Sequence, residues 1–296
     1  MRFLDVKTDY AFKKVFGSEQ SKPILIDFLN AMIDFKDANI TDLTIVDPYQ
    51  IPLLKGMKDS YVDVKAMLSN QTKVIIEMQV LNVEGFEKRV LYNAAKLYST
   101  QLNQAERYDT LEPIIALTIT DFVMFRDLPN IISYWKLREK EHLVEYSDDI
   151  ELIFVELPKF TKTESEIATI TEKWLYFIQN AGQMHFIPQT FIESPLVDAF
   201  GIANTSNLSE EEFEMQEKRH DFIWLQKKAI EKAQKDGLAQ GREEGRAEGR
   251  AEGEAEGIRK GKLDMARGML RDGLPIEMIM KYSGLLKDEI EHLHTK

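Results

Sequence analysis

Two runs of β-forming residues separated by a four-residue polar turn place the tightest limit on how this chain folds. Ser60–Leu68 and Lys73–Leu81 are rich in Val, Ile and Met, and they flank Ser69-Asn70-Gln71-Thr72, a composition suited to a hairpin. Alternate side chains of a strand share a face. Tyr61, Asp63 and Lys65 are therefore expected on one side, as are Ile75, Glu77 and Gln79 on the next strand. Val62, Val64, Val74, Ile76 and Met78 would make the opposite, apolar face. Asp63 and Glu77 interrupt two strongly β-forming segments, and a short turn can set them close together.

Two neighbouring carboxylates repel, which raises one pKa unless a cation neutralises the pair. Mg²⁺ (or Mn²⁺) suits such a site, because it takes oxygen ligands in octahedral geometry and keeps several waters. A water positioned there can attack a phosphodiester while the cation stabilises charge on the phosphate. Gln79 is placed to orient that water or to hydrogen-bond the phosphate, but as a neutral amide it brings no positive charge. The competing reading is structural: a lone Asp and Glu on adjacent strands usually mark a solvated outer face.

The surrounding pattern points to an α/β protein. Apolar residues recur at helical spacing from Asp5 to Ile33, with Pro23 opening a second helix after Gly17-Ser18. Leu43–Val46 reads as a short strand, and Glu84–Glu106 as a helix with Val90, Leu91, Ala94, Leu97, Tyr98 and Leu102 on one side. Pro113–Thr120 is a continuous apolar run, expected to be a fully buried strand. Leu143–Tyr146 and Ile150–Leu157 are expected to pair, and 164–181 and 209–236 to be helical around a looser stretch holding Pro188 and Pro195. Helix, three strands, helix and strand in that order imply a mixed sheet flanked by helices.

Composition narrows the chemistry. The absence of cysteine excludes disulfides, thiolate metal sites and a cysteine nucleophile. Of the five histidines only His292 and His294 have ligand-like spacing, at the chain end, so a hard cation on carboxylates is favoured over zinc. The first residues lack a signal-peptide pattern, and no apolar run is long enough to span a bilayer, so a cytoplasmic location without membrane insertion is expected. Net charge is −12, which counts against nucleic acid as a partner. The acidity lies mostly elsewhere, however. Residues 1–112 hold 14 Lys and Arg against 16 Asp and Glu, whereas residues 113–208 hold 7 against 14.

Five segments in order carry a family resemblance: Asp-Tyr-Ala-Phe-Lys-Lys-Val-Phe-Gly at 9–17, Leu-Ile-Asp-Phe-Leu-Asn at 25–30, Tyr-Val-Asp-Val-Lys-Ala at 61–66, Val-Ile-Ile-Glu-Met-Gln at 74–79 and Arg-Val-Leu-Tyr-Asn-Ala-Ala-Lys-Leu-Tyr at 89–98. They resemble the Rpn family of recombination-promoting nucleases, also described as PD-(D/E)XK transposase-like proteins. The resemblance covers about the first 160 residues and implies a restriction-endonuclease-like core, divalent-metal DNA cleavage, and a role in recombination, transposition or defence against mobile DNA. Asp63 and Glu77 map onto the acidic metal ligands and Gln79 onto the last signature position, where the wider superfamily has lysine. The resemblance also implies that Asp9 approaches the site as an outer metal-side carboxylate and Lys13 as a phosphate contact. By spacing alone the two share a helix face, where a surface ion pair is an equal reading. Lys65 and Arg89 are further candidates for phosphate contact, and Tyr98 and Gln101 for support.

Beyond the core the chain changes character. Residues 161–236 read as a helical extension packing on the nuclease-like core of 1–160. At 237–261 glycine recurs at every fourth position from Gly241, with Arg and Glu between. As a helix this stretch has no apolar seam, and each interior glycine costs about 1 kcal/mol relative to alanine. It is either an arm along which two copies associate or a flexible charged linker. Residues 262–296 read as two small helices joined at Ser283-Gly284, and the acidic second half (Asp288, Glu289, Glu291) is better suited to protein contact than to DNA reading. The favoured function is a Mg²⁺-dependent DNA endonuclease that assembles as a homo-oligomer through 237–296. The alternative is a catalytically degenerate core of the same fold that binds partners or nucleic acid.

Overall fold

The computed structural model describes residues 1–36, 39–50, 60–102, 105–192 and 195–293, in two compact units, Met1–Lys227 and Lys228–Lys296. Unit 1 opens with α1 (Asp9–Phe16), whose N-cap Thr8 accepts from the Ala11 N–H, and α2 (Lys22–Met32), with Pro23 in its first turn. The break between them falls at Gly17, as the spacing predicts. Both helices present apolar stripes, and Phe12, Val15, Phe16, Leu25, Phe28 and Leu29 are fully buried.

Among the described residues eight strands follow: β1 (Leu43–Val46), β2 (Tyr49–Gln50), β3 (Ser60–Tyr61), β4 (Val64–Leu68), β5 (Lys73–Gln79), β6 (Ile114–Thr120), β7 (Ile132–Trp135) and β8 (Ile150–Glu156). Six of them form one mixed sheet in the order β1-β4-β5-β6-β8-β7, while β2 and β3 make a separate two-stranded ribbon. The β4–β5 hairpin turns as expected: Gln71 adopts φ 68° and the Leu68 N–H donates to Thr72 O at 2.9 Å. α3 (Phe86–Ser99) crosses from β5 to β6, which run parallel, and β6 is buried along its whole length.

Four expectations need correction. The run Ser60–Leu68 is not one strand: Ser60 and Tyr61 pair with β2, and the sheet strand begins at Val64. Across that break the alternation slips, so Val62 packs with Ile75, Ala94 and Leu97 beneath α3, while Val64 packs in the core under α1 and α2. Helix α3 ends at Ser99, short of Glu106 (residues 103–104 lie outside the described set), and Leu91 faces outward, 53% exposed. The partner of β8 at the sheet edge is β7, whereas Leu143–Tyr146 contributes one isolated bridge, Arg138 to Glu145, because Leu143 turns at φ 57°. The looser stretch contains a further helix, α5 (Leu196–Ala203), and α4 (Ile170–Asn180) starts six residues later than 164, where Thr169 and Glu172 form a capping box.

α4 and α5 belong to the main core. Trp174 contacts Phe16, Phe28 and Phe177 and donates its indole N–H to Asp27 at 2.7 Å, and Phe200 packs on Phe3 and Phe177. A long helix, α6 (Glu210–Arg271), begins in unit 1, where Phe213, Gln216, Ile223 and Lys227 are its more covered positions. Polar contacts tie it there: the Tyr10 hydroxyl donates to Glu212 at 3.0 Å, and Lys227 pairs with Asp121.

In unit 2 α6 continues through the glycine repeat, then α7 (Ile276–Ser283) and α8 (Lys287–Leu293) fold against its end around Ala266, Ile279, Leu285 and Ile290. Gly284, at φ 67°, caps α7 in the left-handed conformation. Among the described residues no helix is long and apolar enough to cross a membrane. His294 lies outside the described residues.

Candidate active site

The end of β4 creates the site. Past Val64 the ladder stops, leaving the Met78 N–H on β5 without a strand partner on that side; the Asp63 carboxylate accepts it at 2.7 Å. Asp63 itself stays joined to β5 by its N–H to Ile76 O at 3.1 Å. Glu77 therefore lies opposite Asp63 on the central strand, where it is only 8% exposed. That value removes the solvated-face reading for Glu77.

Each carboxylate is met by a helix. From α1, Lys13 sits 2.7 Å from Asp9 and 3.6 Å from Asp63. From α3, Asn93 donates to Glu77 at 2.5 Å, and the Arg89 guanidinium stands 3.6 Å from the other Glu77 oxygen. Arg89 also donates to Gln79 Oε1 at 2.7 Å, and the Gln79 amide donates to Leu81 O at 2.7 Å. Gln79 is thus braced locally between Arg89 and its own strand end.

These groups share a cleft of about 930 Å³, lined by Asp9, Lys13, Asp63, Glu77, Gln79 and Arg89, with Tyr61, Lys88, Tyr92, Asn93 and Arg219 among the rest. Burial pushes Asp63 up to about 7, and the neighbouring Asp9 adds to the rise against the Met78 N–H and Lys13. Burial likewise raises Glu77, with Arg89 and Asn93 opposing it in part. Asp9 also feels burial, but its hydrogen bonds to Lys13 and Asp63, together with Arg219, outweigh it and hold the carboxyl below the usual range. Lys13 is raised, because Asp9 and Asp63 overcome its desolvation.

The structure brings six of the nine sequence candidates together and leaves three elsewhere. Lys65 does not line the cleft; it is half-buried on β4, its pKa lowered by burial. Tyr98 packs against the smaller cluster under α3. Gln101 accepts from Lys73 Nζ at 2.7 Å and bonds the Glu112 backbone, tying the end of α3 to the segment before β6. Asn93 and Arg219 are among the cleft residues that escaped the sequence reading. Asn93 carried a signal, since it lies one helical turn after Arg89. Arg219 carried none, because it arrives from α6, far along the chain.

The donor set suits a hard divalent cation: buried Glu77 and partly buried Asp63 with raised pKa values, oxygen donors throughout, and beside them a buried Asn93 Oδ1 with no hydrogen-bond partner among the described residues. Among the described residues no three acidic or histidine side chains gather into a metal-binding group, so a cation on Asp63 and Glu77 would complete its shell from water or backbone oxygen.

A mixed sheet flanked by helices, with paired carboxylates where its central hairpin opens, defines a nuclease-like α/β protein of the PD-(D/E)XK fold. The model of the PD-(D/E)XK nuclease family transposase matches residues 6–233, and the chain belongs to that family. Comparison with curated proteins and with solved structures gave no match.

Proposed function

We propose that this chain is a divalent-metal-dependent DNA endonuclease in which Asp63 and Glu77 hold the cation, serving recombination, transposition or defence against mobile DNA. The observation that carries this reading is the pair of carboxylates raised by desolvation, Glu77 buried on β5 and Asp63 partly buried just before β4, facing one cleft. Bound there, Mg²⁺ or Mn²⁺ supplies charge for the phosphate and acidifies water. The chain's own groups do the rest. Asp63 and Glu77 are aimed by the Met78 N–H and the Asn93 amide. Lys13, 2.7 Å from Asp9 and 3.6 Å from Asp63, offsets part of the repulsion between the two carboxyls. Arg89, held over the Phe86 ring at 5.0 Å, fixes Gln79 where it can orient water or phosphate. Cations at the cleft answer the acidity of the whole chain.

Plasmid nicking with Mg²⁺ and Mn²⁺ tests the reading. Asp63→Asn and Glu77→Gln are each expected to lower cleavage at least about 100-fold, on the scale of losing a group that stabilises the transition state. Cleavage at the parent rate by both variants overturns it. One observation favours the degenerate alternative: Lys13 and Arg89 each stand 3.6 Å from a site carboxylate, and Gln79 already bonds Arg89 and Leu81 O. Absence of cleavage in either metal would select that reading. The repeat at 237–261 is read as an arm joining copies, with arginine and glutamate rows flanking the glycines. A chain ending at residue 236 should then sediment as a smaller species than the full chain.

A further inference from the structure

The cleft holds more positive charge than the sequence assigns to it. Lys13, Lys88, Arg89 and Arg219 all line it. Two of these are engaged by the site itself: Lys13 lies between Asp9 and Asp63, and Arg89 bonds Gln79 beside Glu77. Arg219 is different. Its side chain is half exposed, and among the described residues its one ion-pair partner is Asp9, at 3.6 Å, beyond hydrogen-bond length. Its guanidinium makes no hydrogen bond to any described residue, so among these residues its five donors are uncommitted.

The placement is specific. Neighbouring α6 residues Gln216, Glu217, His220 and Asp221 line a separate cavity of about 460 Å³, while Arg219 turns to the candidate active cleft. A chain of ion pairs, Arg219 to Asp9, Asp9 to Lys13 and Lys13 to Asp63, links it to the carboxylate centre at 3.6, 2.7 and 3.6 Å. Lys88, without an ion-pair partner among the described residues, is a point charge on a flexible stem; an arginine fork matches two phosphate oxygens at once.

We propose that Arg219 grips a backbone phosphate of the DNA strand in the cleft, supplying the fixed positive charge that Gln79 lacks. The first turns of α6 are then a wall of the DNA-binding surface. This rests on the nuclease reading of the cleft.

The test is fluorescence anisotropy of a labelled DNA duplex with the full chain across a salt series, in EDTA and again in Ca²⁺. Arg219→Ala should weaken binding about tenfold, the effect of removing one charge-assisted hydrogen bond. It should also flatten the slope of log affinity against log salt by about 0.9, one phosphate fewer neutralised. Arg219→Lys should keep the parent slope at reduced affinity. A slope unchanged in Arg219→Ala overturns the proposal, because a bracing role for α6 would weaken binding without releasing fewer counterions. A parent chain that binds duplex in neither buffer overturns this inference together with the nuclease reading.

Discussion

At the residue scale the decisive features are carboxylates held where water is scarce. Asp63 shows how this links to stability. Its folded pKa, about 7, lies above the ordinary value of 3.8. Below about pH 4 the group is protonated folded or unfolded and contributes nothing. As pH rises toward 7 the unfolded chain releases the proton first, so the metal-free fold loses stability, with the full loss above 7. Asp63→Asn is therefore expected to melt higher than the parent at pH 8 in EDTA, with the gap closing near pH 4. Thermal melts at the two pH values check this, and an equal gap at both would refute the account. That two carboxylates would meet was legible from strand alternation and turn length. That Asn93 would hold one of them, its own Oδ1 left without a partner among the described residues, was not, since the fit of α3 over β5 sets that contact.

At the element scale local chemistry decides where helices begin and how much they tolerate. Glu172 closes the capping box of α4, accepting from Ala168 N at 2.8 Å and Thr169 N at 3.1 Å. Its pKa is lowered to about 2, first by its hydrogen bond from Lys162 and then by those backbone donors. A depressed carboxylate stabilises above its unfolded value, near 4.5, and that stability is lost as pH falls from there toward 2. Glu172→Ala should cost about 1 kcal/mol at neutral pH and remove this part of the acid dependence, read from denaturant melts between pH 2 and 7.

Two kinds of glycine make a second contrast. A Cβ at Gly245 or Gly249 would meet nothing within 4 Å, so alanine there should raise helix content, each by about 1 kcal/mol. At Gly182 a Cβ would lie 2.8 Å from Asp5 Cβ and 2.9 Å from its Cα, so Gly182→Ala should destabilise by about 1–3 kcal/mol. Circular dichroism melts distinguish the opposite signs. The periodic elements α1, α2, β5 and β6 were legible because each carries a clear apolar period. β7 and α5 were not: Ile132–Trp135 is a four-residue edge strand, and the segment before Leu196 reads as loop through its prolines.

At the scale of the whole molecule the sheet and the helices that follow it share one core. Trp174, Phe177, Phe191 and Phe200 are fully buried in the same cluster as Phe12, Phe16 and Phe28. A fragment ending at residue 160 is thus expected to lose cooperative melting, whereas one ending at 227 should retain it; calorimetry of both fragments checks the difference. By itself the sequence determined the hairpin, the α/β class, the family, and the nearness of Asp63 to Glu77, because period and turn length act over a few residues. Only tertiary structure decided that Ser60–Leu68 breaks, that Lys65 stays out of the cleft, and that Arg219 enters it. Those outcomes depend on which distant surfaces bury one another, and no local period encodes that choice.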